Sequence, residues 1–132
     1  MAHTKFVVAL KTSLITVFLV NLFGRDRQRC DGNWGKTVFL IARLHALPNA
    51  SGDVLRLSQS ADEAVKASEP GMLLHTFDQE PSDPLGFVWT EVYANSAALI
   101  FHLENPPLQT YLADVSPMLD NFTVKLDGEV ST

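Results

Sequence analysis

EPGMLLHTFDQEPSDPLGFVWTEVYANSAALIFH, residues 69–102, decides the fold of this chain. Glu69-Pro70-Gly71 ends whatever helix precedes it, because proline cannot continue a helix and glycine relaxes the turn. Met72 to Gln79 and Leu85 to Tyr93 then read as two strands. They are joined by Glu80-Pro81-Ser82-Asp83-Pro84, a hairpin connection by composition. Ser96 to Glu104 follows as a short helix, with Asn95 or Ser96 as its cap.

Upstream, Thr37 to Leu47 reads as a strand. Phe39, Ile41, Arg43 and His45 share one face, and Val38, Leu40, Ala42, Leu44 and Ala46 the other. Pro48-Asn49 breaks it, and Asn49 or Ser51 can cap what comes next. Val54, Leu57, Ala61 and Val65 recur at three- and four-residue steps between Gly52 and Ser68, which predicts an amphipathic helix. Arg56, Gln59, Asp62, Glu63 and Lys66 lie largely on its outer side. Downstream, Asn105-Pro106-Pro107 interrupts the second helix, which resumes from Leu108 to Leu119. Asn121 to Asp127 alternates as a last strand. The order β-α-β-β-α-β is the α+β, ferredoxin-like plan: a four-stranded antiparallel sheet with right-handed crossovers that put the helices on one face.

Helices on one face leave the apolar second face of the first strand uncovered. Either a second copy packs its sheet there across a two-fold axis, making a homodimer through sheet faces, or the apolar N-terminal segment folds back over it.

A chain of 132 residues holds one domain with a hydrophobic core. We place that domain at residues 36–132 and an N-terminal extension at residues 1–35. A formal charge of −5, with no basic stretch interleaved with aromatics in the domain, excludes nucleic acid as a partner. The single cysteine, Cys30, forms no intrachain disulfide and fits a reducing, cytoplasmic setting. Residues 6–23 are mostly apolar but carry Lys11, fall short of the roughly 20 residues a span needs, and lack a small-residue cleavage site. They are read as a soluble extension, a leader or an anchor, and a membrane is a partner only if they anchor. Their β-branched content also permits an added strand.

On the third domain strand Phe87, Trp89, Glu91 and Tyr93 point one way. Three aromatics and a carboxylate on one face suit a planar aromatic ligand, with Glu91 orienting its polar groups. The plainer reading has the rings packing and Glu91 bonded to backbone or to Arg43. His102, beside Leu99 and Leu103, is either a packing residue or a base, since an unperturbed imidazole titrates near pH 6.5. His75 and His45 are weaker candidates. No linear metal-ligand spacing, paired glycosidase carboxylates, glycine-rich nucleotide loop or P-loop occurs, so neither a metal nor another cofactor is expected.

Glu69-Pro70-Gly71, Glu91-Val92-Tyr93 and Ala97-Ala98 through His102 stand where the antibiotic biosynthesis monooxygenase family has E-P-G, E-x-[WY] and A-A-x-x-x-H. The resemblance spans roughly residues 36 to 129. It implies a dimeric α/β barrel and oxidation of a small phenol or quinol by oxygen without metal or flavin. Carried onto this sequence, it makes His102 the base, Tyr93 a hydrogen-bond donor, Asn95 an orienting amide and Trp89 a pocket wall. Glu91, Phe87 and His75 complete the substrate site. The helix after Pro107 holds no histidine, which disfavours the haem-degrading branch. The alternatives are a non-catalytic dimeric protein that binds a small aromatic molecule, and a tethered interaction module.

Overall fold

Alternate residues of β2 (Val38–Ala46) and β4 (Gly86–Tyr93) turn inward toward three helices. The computed structural model describes residues 37–128 and, as backbone, residues 6–9. The elements are β1 (Phe6–Ala9), β2 (Val38–Ala46), α1 (Ser51–Ser68), β3 (Met72–Gln79), β4 (Gly86–Tyr93), α2 (Ser96–Glu104), α3 (Pro106–Val115) and β5 (Leu119–Asp127). All strand pairs are antiparallel, in the order β1-β5-β2-β4-β3. The domain's own four strands therefore follow the ferredoxin-like order, as the sequence predicts.

In β2 the inward set is Val38, Leu40, Ala42, Leu44 and Ala46, all buried; β4 buries Phe87, Trp89, Glu91 and Tyr93. Val54, Ala61 and Val65 of α1, Leu99 and Leu103 of α2, and Tyr111, Leu112 and Val115 of α3 close over them. Each large apolar side chain removed from water this way contributes roughly 1.5–3 kcal/mol. Among the described residues, nothing covers the opposite sheet face. Leu74, Val92 and Phe39 lie in one cross-strand row there, and Phe39 is 49% exposed.

Four local readings need correction. The cap of α1 is Ala50, with no side-chain hydrogen bond; Asn49 instead takes the left-handed turn position, at φ 72°. Ser58 joins Val54, Ala61 and Val65 among the buried residues of that helix, and Leu57 is only partly buried against the core. The last helix stops at Val115, because Ser116-Pro117-Met118 tightens into a 3₁₀ turn and β5 starts at Leu119. Arg43 does not meet Glu91. It lies on the open face, with Nε 3.5 Å from Glu80 Oε1.

The added strand that the N-terminal composition permits is β1, paired with β5 from Phe6↔Leu126 to Ala9↔Thr123. The rest of the apolar run, with the leader and anchor readings, lies outside the described residues. Among the described residues, no helix is long and apolar enough to cross a membrane.

Candidate functional site

Glu91 sits at the centre of the site because the register of β3 against β4 sets His75 directly opposite it, on the face toward the helices. His102 arrives from the last turn of α2. Its Nε2 is 3.6 Å from Glu91 Oε2, and His75 Nε2 is 3.8 Å from Glu91 Oε1. All three side chains are buried.

Two more carboxylates hold the imidazoles from behind. His75 Nδ1 donates to Asp62 Oδ1 at 2.6 Å, and His102 Nδ1 donates to Glu69 at 2.9 and 3.0 Å. An ionised carboxylate only accepts, so each places a ring proton on Nδ1 and turns Nε2 toward Glu91. The result is an alternating chain, Asp62–His75–Glu91–His102–Glu69. Asn105, between α2 and α3, steadies the far end by donating to Glu69 Oε1 at 2.7 Å and Ser68 Oγ at 3.0 Å.

Gly71 explains how Glu69 reaches that position. A Cβ on Gly71 would lie 2.6 Å from the Cβ of Ala98. Only glycine opposite alanine lets the turn rest on α2, and the Ala94 N–H donates to the Gly71 carbonyl at 2.9 Å. The turn glycine and the helix alanines thus dock one element on the other, and the docking carries Glu69 over His102.

Tyr93 stands behind the central carboxylate, its hydroxyl donating to Glu91 Oε2 at 2.5 Å. Burial, and then the neighbouring Glu91 charge, push its pKa far above the ordinary tyrosine value, so it remains a donor. Tyr111 of α3 is also raised: burial outweighs the bonds from Ser58 and Trp89 that favour its ionised form. Its hydroxyl accepts from Trp89 Nε1 at 3.2 Å and pairs with Ser58 Oγ at 2.8 Å. At Asp62, burial works to raise the pKa, but hydrogen bonds from Lys66 and His75 prevail and hold the carboxyl below its usual range. Lys66 Nζ lies 2.7 Å from Asp62 Oδ2.

His75, Glu91, His102 and Trp89 line a cavity between sheet and helices, with Leu40, Phe122 and Tyr111 among its other walls. Its volume is about 40 Å³, and it is partly open to solvent. Of the other candidates from sequence, Tyr93 touches the site through Glu91. Phe87 stacks on Phe77 at 5.2 Å, and neither is among the cavity's walls. Asn95 caps α2, its Oδ1 accepting from the Ala98 N–H at 2.9 Å. Sequence reasoning missed Glu69, Asp62, Asn105, Tyr111 and Ser58 as parts of the array. Only Glu69 stood in a motif, and there it was read as a helix stop.

A model of one protein family, antibiotic biosynthesis monooxygenase, matches residues 37–114. The chain belongs to that family. This family member also resembles solved structures. One is an antibiotic biosynthesis monooxygenase, 25% identical with a TM-score of 0.64, the match covering 71% of this chain and 99% of that one. PA3566 from Pseudomonas aeruginosa is 20% identical, with a TM-score of 0.67 over 76% of this chain and all of its own length. A candidate monooxygenase from Lactobacillus acidophilus NCFM is 21% identical, with a TM-score of 0.67 over 74% of this chain, and the match spans only 46% of its length. No curated protein matches the sequence.

Proposed function

We propose that this family member is a monooxygenase that oxidises a small phenol or quinol in the cavity beside Glu91, with no cofactor supplying the electrons. The observation that supports it most is the pair of Nδ1-anchored histidines whose Nε2 atoms face Glu91 at the cavity wall. A substrate hydroxyl there meets an imidazole lone pair already oriented to take its proton. Proton loss makes the ring electron-rich enough to reduce oxygen. For a quinol the balance is quinol plus O₂ giving hydroxyquinone plus water, all four electrons coming from the substrate. In this reading His102 is the base, Trp89 a cavity wall, and Tyr93 holds Glu91. Asn95 orients the end of α2 through its cap and not the substrate.

Oxygen uptake with a panel of quinols tests the proposal. Turnover should appear with the wild type and fall by roughly 10²–10⁴ in His102→Ala, with the melting transition retained. Quinols that quench Trp89 fluorescence without oxygen uptake would instead make this a non-catalytic binding protein.

We also propose that two copies associate through the open sheet face. The cross-strand row Leu74–Val92–Phe39 supports this, as an apolar strip that neither helices nor loops of the described chain cover.

A further inference from the structure

We propose that His75 Nε2, His102 Nε2 and a Glu91 carboxylate oxygen form a binding site for a first-row divalent cation of the zinc, cobalt(II) or iron(II) type. This goes beyond the oxidation proposed above, and concerns what the three side chains bind. Their ligand atoms all lie within 4.8 Å of one another. They come from β3, β4 and α2, which is why no linear motif announces them.

The separations of 3.6 and 3.8 Å from each nitrogen to Glu91 exceed a hydrogen bond. They suit ligands on a shared ion: nitrogen and oxygen each bind zinc at roughly 2.0–2.2 Å, which puts neighbouring ligand atoms about 3–4 Å apart. With each Nδ1 held by a carboxylate, the two Nε2 atoms and the Glu91 carboxylate face one another across this gap. Among the described residues one ammonium, Lys66, is paired into the array, and it sits beyond His75 on the far side of Asp62.

The surroundings also have the form of a metal site. A ligating histidine characteristically gives its other ring N–H to a carboxylate, which fixes its orientation and raises its basicity. Both histidines do so here, to Asp62 and Glu69, and Tyr93 fixes the carboxylate. Two imidazoles and one carboxylate on three packed elements, with the remaining directions facing a cavity, match sites that keep coordination positions open. This donor set prefers borderline transition ions, and magnesium and calcium, which take oxygen ligands, should not compete.

The full chain, stripped with a chelator, is titrated with cobalt(II) chloride. The expected result is visible ligand-field absorption that saturates at one ion per chain. Zinc should displace it and magnesium should not. His75→Gln and His102→Gln should each weaken binding by about tenfold or more, and Asp62→Asn by roughly 10–100-fold. No saturable spectrum in the wild type overturns the proposal, and so does unchanged affinity in a folded His102→Gln. Should the variants not fold, X-ray absorption at the cobalt edge of the wild type decides. Two imidazoles in the shell support the site; a shell of oxygen alone overturns it. Quinol oxidation by the chelator-treated chain reads the earlier proposal separately, because its loss leaves cobalt binding intact and its presence does not require it.

Discussion

His102 Nδ1 donates to Glu69 at 2.9 Å, joining the last turn of α2 to a turn 33 residues earlier in the chain. Both side chains are buried, and Asn105 is the other donor to Glu69. In Glu69→Gln an amide replaces the carboxylate, and the imidazole Nδ1–H faces a neutral acceptor in place of a charged one. We expect a loss of about 1–3 kcal/mol in chemical denaturation. Slower quinol turnover should accompany it.

Gly71→Ala forces a methyl group into the Cβ of Ala98, 2.6 Å away. Overpacking of this kind costs roughly 1–3 kcal/mol. Gly71→Ala combined with Ala98→Gly should recover part of that loss, and a double-mutant cycle of denaturant midpoints reads the coupling.

Tyr93 and Tyr111 are the only tyrosines in the chain, and burial raises both. The native protein should therefore show little tyrosinate absorbance near pH 10, where a free tyrosine ionises. A raised folded pKa means the neutral side chains stabilise the fold fully below the ordinary tyrosine value. That contribution is lost as the pH climbs above about 10, where the unfolded chain ionises and the folded one does not. Absorbance and loss of circular dichroism should rise together in an alkaline titration. Tyrosinate that appears before unfolding would show that the hydroxyls are accessible.

Phe39, at the centre of the open face, is the residue whose charge should matter most for association. Phe39→Asp should give the mass of a single chain in light scattering at a concentration where the wild type gives two. An unchanged mass would place the contact elsewhere.

A chain beginning at Lys36 should still melt cooperatively, because the four domain strands and three helices lie C-terminal to that point. Removing β1 costs the ladder along β5. The melting temperature should drop without loss of the transition; a broad, non-cooperative melt would make residues 1–35 part of the domain.

Strong local signals made most of the fold legible. Met72–Gln79 is bounded by a Pro-Gly turn and a proline-rich loop, and its strand begins and ends as read. The apolar period of α1 likewise put Val54, Ala61 and Val65 inside. Ser58 escaped, because its burial depends on Tyr111 arriving from α3 with a hydroxyl to meet it. The candidate site was legible on β4, where alternation alone sets Trp89 and Glu91 on one face. Pairing His75 with Glu91 requires the β3–β4 register, and pairing His102 with Glu69 requires the contact of Gly71 on Ala98. Both are long-range relations that no local window contains.

The four residues of β1 also change what the sheet can do at its rim. Without them β5, nine residues long, would present an unpaired ladder of N–H and C=O groups to any passing strand. Among the described residues, the outermost strand on that side is then very short, a poor template for cross-β stacking. Sideways growth of the sheet into larger aggregates is blunted there, and the flank at β3, where Leu73 is 62% exposed, becomes the one to guard in concentrated solution.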